Sequence, residues 1–247
     1  MDNKLSNAIY ESRRAGMVKS DQFFREMYPI ARHLFRINNP VIEGLEKIPE
    51  EGPLLILPKH RHYADIIVTW FVARNAGRYP NYIMKPGLPR GFLYRGGIEI
   101  YRKIDILKTK SRQKRRKKIS KAKKVNRESL DYMDYLLNKG EAIISFPEGT
   151  FYNDGVGPIN PDKVLRKVIQ TQKEMKEKIF ILPIGTEYHG DSYSDVNVRI
   201  GNPFTLDDFI GNDGVNEKGL VKKIYDDLTL LSGFWFIDKK NSYGKSL

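Results

Sequence analysis

His60 and Asp65 stand five residues apart in Lys59-His60-Arg61-His62-Tyr63-Ala64-Asp65, pairing an imidazole with a carboxylate. Such a pair suits general-base chemistry. The carboxylate holds one ring nitrogen, fixes the tautomer and leaves the other nitrogen free to take a proton. The spacing also says where each residue must sit. Inside one helix the two would point about 140° apart at 3.6 residues per turn and could not meet. His60 is therefore expected in a turn, with Asp65 reaching back from the first turn of a following helix. His62, three residues before Asp65, could share its helical face and is the rival base. A plainer alternative has Asp65 only capping the helix, with both histidines solvated.

Two further stretches carry candidate chemistry. Phe146-Pro147-Glu148-Gly149-Thr150 follows the apolar run Ala142–Ser145. A strand ending in such a turn brings backbone N–H groups and a carboxylate to the carboxyl edge of a sheet, where α/β proteins bind ligands. Gly96-Gly97-Ile98-Glu99-Ile100-Tyr101-Arg102 reads as a glycine loop feeding a strand that ends in arginine. That arginine could clamp a phosphate through two N–H groups; the ordinary alternative is a surface salt bridge.

The elements that must position these residues are legible in outline. Pro53–Pro58 is an apolar run closed by prolines and reads as a buried strand. Ala64–Ala76 carries Ile66, Ile67, Trp70, Phe71 and Ala73 at helical spacing and stops at Gly77. A strand and turns from Val41, then strands at Tyr82–Lys85, Ile98–Arg102, Ala142–Phe146, Ile179–Ile184 and Val196–Ile200, alternate with helices at Ser111–Lys139, Asp162–Lys178 and Glu217–Leu231. This alternation predicts an α/β layer structure. Pro86–Gly97 reads as a loop. Upstream, Ser20–Ile37 is an aromatic-rich amphipathic helix, kinked or broken near Pro29, whose apolar side either packs on the core or lies in a bilayer interface.

The 247 residues, 40% of them hydrophobic, suit one large domain. The expected division is an N-terminal amphipathic segment at 1–39, a main domain at 40–233 and a tail at 234–247. The tail begins Phe234-Trp235-Phe236-Ile237, either an interfacial contact or core packing. Cysteine is absent, which excludes disulfides, thiolate zinc sites and a cysteinyl intermediate. Met1–Lys19 lacks an apolar core and no run of 18 apolar residues occurs, so neither a secretory signal nor a membrane span is expected. Of the 43 Lys and Arg, 12 fall within Lys108–Arg127, which holds no acid; 31 bases then face 30 acids in the rest of the chain. The net charge of +13 thus belongs to one helix. Without interleaved aromatics the run offers nothing for base stacking, so an anionic membrane is the expected partner and nucleic acid is not.

The order of the blocks, His-x4-Asp, glycine loop with Arg102, Phe-Pro-Glu-Gly-Thr and then Ile181-Leu182-Pro183-Ile184, resembles the glycerolipid acyltransferase family. The 1-acylglycerol-3-phosphate (lysophosphatidic acid) acyltransferases are its best known members. The likeness runs from Gly44-Leu45 to Val198-Arg199-Ile200-Gly201-Asn202-Pro203. It implies a mixed sheet flanked by helices, and transfer of a fatty acyl chain from acyl-coenzyme A or acyl carrier protein to the sn-2 hydroxyl of 1-acylglycerol 3-phosphate, giving phosphatidic acid. By the resemblance His60 is the base and Asp65 its partner; Arg102 and Lys85 hold the acceptor phosphate; Glu148, Gly149 and Thr150 help form the acceptor site; and Pro183 shapes the acyl pocket wall. No metal or cofactor is implied, and the expected place is peripheral, on the cytoplasmic face of a membrane. Glycerol 3-phosphate or another lysophospholipid is the alternative acceptor, and a non-catalytic membrane-binding protein the alternative class. The chain departs from the pattern at Lys59 (commonly Asn), His62 (Ser or Gln), Phe151 (often Arg), Glu99 (Phe) and Tyr101 (an acid). Lys59, Arg61 or the basic helix are candidates to replace the missing arginine as a phosphate contact.

Overall fold

The computed structural model describes residues 40–86, 97–102, 111–159, 163–189, 195–211 and 214–234, with Glu11, His33 and Ile106. The expected helix at 20–37 apart from His33, nearly all of the loop at 86–97 and the tail beyond Phe234 lie outside the described residues.

An eight-stranded mixed sheet forms the centre. Its strands are β1 (Val41–Glu43), β2 (Leu54–Pro58), β3 (Asn81–Met84), β4 (Ile98–Glu99), β5 (Ala142–Ile144), β6 (Phe180–His189), β7 (Asp195–Ile200) and β8 (Phe204–Thr205), in the order β1-β7-β6-β2-β5-β3-β4 with β8 beside β6. The strands β6, β2, β5, β3 and β4 run parallel, while β6 and β7 form an antiparallel pair. A small hairpin of β9 (Ile210–Gly211) and β10 (Gly214–Val215) stands apart. Strand β2 is apolar throughout because both its faces are buried. Leu54 and Ile56 pack toward helix α1 (Ala64–Asn75), with Val68 and Val72. Leu55 and Leu57 face the layer of α2 (Arg112–Asn138), α3 (Lys163–Glu174) and α4 (Glu217–Leu231). The result is a three-layer α/β/α core.

Arg78 ties the amino-terminal edge together. Its buried guanidinium donates to Pro49 O, Gly52 O and Gly140 O, joining the entries of β2 and β5. Burial pulls this arginine below its usual range.

Helix α2 begins where Ser111 accepts a hydrogen bond from Lys114 N. From Ala122 onward it buries Ala122, Asn126, Tyr132, Met133, Leu136 and Leu137, whereas no residue from Arg112 to Lys121 is buried. Asn126 pairs with the backbone of Tyr101 in both directions, at 2.7 and 2.9 Å, and Ser129 donates to Glu99 O at 2.7 Å. Since α2 ends beside the start of β5, it runs against the parallel strands. At 1.5 Å per residue the helix continues about 21 Å past Asn126, beyond the carboxyl edge of the sheet. No helix among the described residues is long and apolar enough to cross a membrane.

Candidate active site

Four parallel strands end at one edge, and the sequence-predicted site residues follow them directly. His60 comes after β2, Lys85 after β3, Arg102 after β4 and Glu148-Gly149-Thr150 after β5. This is the edge where α/β sheets bind ligands.

The His60 turn is wound around Asp65. Asp65 Oδ2 accepts from Arg61 N at 2.6 Å, from His62 N at 2.7 Å and from His60 Nδ1 at 3.2 Å. Oδ1 accepts from Tyr188 Oη at 2.6 Å and from Thr186 Oγ1 at 3.3 Å. Its side chain is wholly buried, and the five donors occupy both of its oxygens, so the oxygen facing His60 is an acceptor. His60 Nδ1 therefore carries the proton, and Nε2 is the basic nitrogen. The structure separates the two histidines: His62 Nδ1 accepts from Ala64 N at 3.2 Å, so its ring caps α1 while the His60 ring meets Asp65. Asp65 is thus no ordinary helix cap, because the backbone it holds precedes the helix.

Two phenylalanines flank the base. Phe146 stacks on the His60 ring at 4.0 Å and Phe151 packs at 4.1 Å, leaving the imidazole 12% exposed. Phe151 occupies the place where the resemblance led one to expect arginine.

Lys59 is not a phosphate contact. It is fully buried, and its Nζ donates to both oxygens of Glu148, at 2.9 and 3.0 Å. Burial holds the ammonium below the usual lysine range, and Glu148 pulls the other way. Glu148 also accepts from His60 N at 2.8 Å and Gly157 N at 2.5 Å, so its carboxylate faces inward to the turn. Arg61 donates to Asn153 O at 3.2 Å and lies over the Phe234 ring at 4.8 Å.

Arg102 Nη1 donates to Gly149 O, which brings the arginine to the Glu148 turn. Gly149 has φ of 67°, a left-handed backbone conformation that asks for glycine. Thr150 and Lys85 are exposed at the same edge. Pro183 is buried within β6, and Gly201 N donates to its carbonyl.

Sequence reasoning missed Thr186, Tyr188 and Asn126. Thr186 and Tyr188 follow Ile184 at alternate positions of a strand that continues to His189. A polar residue at a buried strand position was the available signal. Asn126, buried in the middle of a long helix, was the same kind of signal.

No curated protein sequence matches the chain. Among solved structures it is similar to a 1-acyl-sn-glycerophosphate (LPA) acyltransferase, PlsC, from Thermotoga maritima. The TM-score is 0.51 and the identity 16%, over 96% of this chain and 85% of that one. At that identity the likeness speaks for the fold. The model of the Acyltransferase family matches residues 39–187, a span holding His60, Asp65, Lys85, Arg102, Glu148, Gly149 and Thr150. With more than half of its length matched, the chain belongs to the acyltransferase family.

Proposed function

We propose that this acyltransferase moves a fatty acyl chain from coenzyme A or acyl carrier protein to the sn-2 hydroxyl of 1-acylglycerol 3-phosphate, giving phosphatidic acid. His60 Nε2 removes the hydroxyl proton while the acceptor oxygen bonds to the thioester carbonyl carbon. The carbon–sulfur bond then breaks, and the imidazolium returns its proton to the departing thiolate. Asp65 keeps the imidazole in the required tautomer and balances its transient charge. A positioned base of this kind is worth roughly 10² to 10⁴-fold in rate. Arg102 and Lys85 take the acceptor phosphate, and the turn Glu148-Gly149-Thr150 shapes the ground beneath it. The observation that carries the reading is His60 Nδ1 bound to a buried, five-donor carboxylate at the edge that Arg102 also reaches. The PlsC-like fold supports the choice of acceptor.

Peripheral binding at the cytoplasmic face of a membrane completes the proposal. The basic half of α2 stands beyond the same sheet edge, and each Lys or Arg near an anionic surface contributes about 1 kcal/mol. Charge surrounds this half, with Ile119 its one exposed large apolar residue, so attraction rather than insertion is the mode.

The test offers an acyl thioester with lysophosphatidic acid and glycerol 3-phosphate side by side, with His60→Ala as control. Product from lysophosphatidic acid, lost in the variant, is the expected result. Product from glycerol 3-phosphate alone would replace the acceptor. No product from either, with vesicle binding intact, would favour a non-catalytic membrane protein.

A further inference from the structure

The buried ion pair beside the base moves no proton and forms no bond in the chemistry above, yet it touches the base's backbone on both sides. Lys59 Nζ has four acceptors: the two Glu148 oxygens, Tyr152 O at 2.7 Å and His60 O at 3.1 Å. An ammonium has three protons, so these acceptors engage them all. Both side chains are 0% exposed, which removes Lys59 from any substrate. General stability does not explain a buried pair either, because desolvation offsets most of the attraction.

What the pair joins does explain it. Glu148 accepts from His60 N, while His60 O accepts from Lys59 Nζ and from Tyr152 N at 3.0 Å. The N–H and the C=O of His60 are thereby fastened to the 146–157 loop. That loop also supplies Phe146 and Phe151, which lie against the imidazole. One ion pair therefore sets both the backbone of the base and the rings that pack on it.

We propose that Lys59 is a positioning residue: with Glu148 it clamps the His60 turn to the 146–157 loop, so that Nδ1 stays on Asp65 and Nε2 stays aimed at the acceptor. The kinetic part of the inference rests on the acyl-transfer reading; the conformational part does not.

The test compares wild type, Lys59→Met and the double variant Lys59→Met/Glu148→Gln. The double variant leaves no unpaired buried charge, so it carries the test if the single variant fails to fold. With oleoyl-coenzyme A and oleoyl-lysophosphatidic acid, kcat should fall about 10 to 100-fold with KM within about threefold, as for a misplaced catalytic group. Long-range 1H–15N NMR, assigned with His60→Gln, should show one Nδ1–H tautomer in wild type and a mixture in the double variant. A folded double variant with wild-type kcat and a single tautomer would overturn the proposal. A wild type that shows the tautomer but no turnover would count against the acyl-transfer reading, and the NMR comparison would then decide the clamp alone.

Discussion

Neutralising one flank of the projecting part of α2 should release the protein from anionic vesicles far more than neutralising the other. Viewed down the axis, Lys114, Lys117, Lys121 and Lys124 form one stripe, and Arg112, Arg116, Lys123 and Arg127 form another about 130° away. The half-buried Arg115 and Lys118 lie on the side of the body, with Ala122 and Asn126. A flat surface can press on only one stripe. Losing three engaged charges at about 1 kcal/mol each predicts binding weaker by about 150-fold. The opposite stripe stands farther off by most of a helix diameter, about 10 Å, which is close to one screening length at ~0.1 M salt. Its loss should cost about 1 kcal/mol in total, or about fivefold. Flotation with phosphatidylcholine vesicles, with and without phosphatidylglycerol, measures both triples: Lys114→Gln/Lys117→Gln/Lys121→Gln against Arg116→Gln/Lys123→Gln/Arg127→Gln. The difference should vanish at about 1 M salt, where screening shortens to about 3 Å. Equal losses from the two triples would refute an oriented contact, and equal binding to neutral vesicles would refute electrostatic docking altogether.

Asp65→Asn should leave the fold intact and lower kcat by roughly 10² to 10⁴-fold, since an amide can accept from the turn but cannot balance an imidazolium; steady-state kinetics and thermal unfolding measure the two effects. Tyr188→Phe deletes a 2.6 Å bond to a buried charge and should cost about 1.5–3 kcal/mol in urea unfolding; a loss within experimental error would remove Tyr188 from the support of Asp65. Asn126→Ala frees the Tyr101 backbone that leads into Arg102, so KM for a phosphate-bearing acceptor should rise more than kcat falls. For Lys59 the sign follows from a folded-state pKa lowered by burial. Between that lowered value and the unfolded ~10.4, the unfolded chain binds the extra proton, so this group's contribution to stability rises with pH. Relative to Lys59→Met/Glu148→Gln, wild type should gain stability on the approach to about pH 10, as followed by urea midpoints.

Local patterns carried the sequence reading a long way. The apolar run at Leu54–Leu57, the helical spacing after Ala64 and the Gly77 stop produced the strand, turn and helix that hold His60 and Asp65. Spacing alone kept His62 as a rival because both histidines lie near Asp65 in sequence, and the family resemblance tipped the choice to His60. Only the path of the turn shows that one ring meets the carboxylate and the other caps a helix. The pairing of Lys59 with Glu148 was missed for another reason. Each looks like a solvent-facing group beside a turn, and their pairing spans 89 residues that no local pattern connects. The hairpin at β9 and β10 is too short for alternation to register, although Asn212-Asp213-Gly214 marks a turn.

The rings of Phe146 and Phe151 also bear on what the site refuses. A base able to deprotonate an alcohol can equally deprotonate water, and water would split the thioester to no purpose. With Asp65 held from behind by Thr186 and Tyr188, Phe146 stacked on the imidazole and Phe151 tilted against it, only 12% of the base's side chain is left to solvent. The alcohol of a bound lipid, delivered by the rest of its molecule, meets no such handicap. On the acyl-transfer reading the aromatic pair is what keeps donor hydrolysis from becoming a leak.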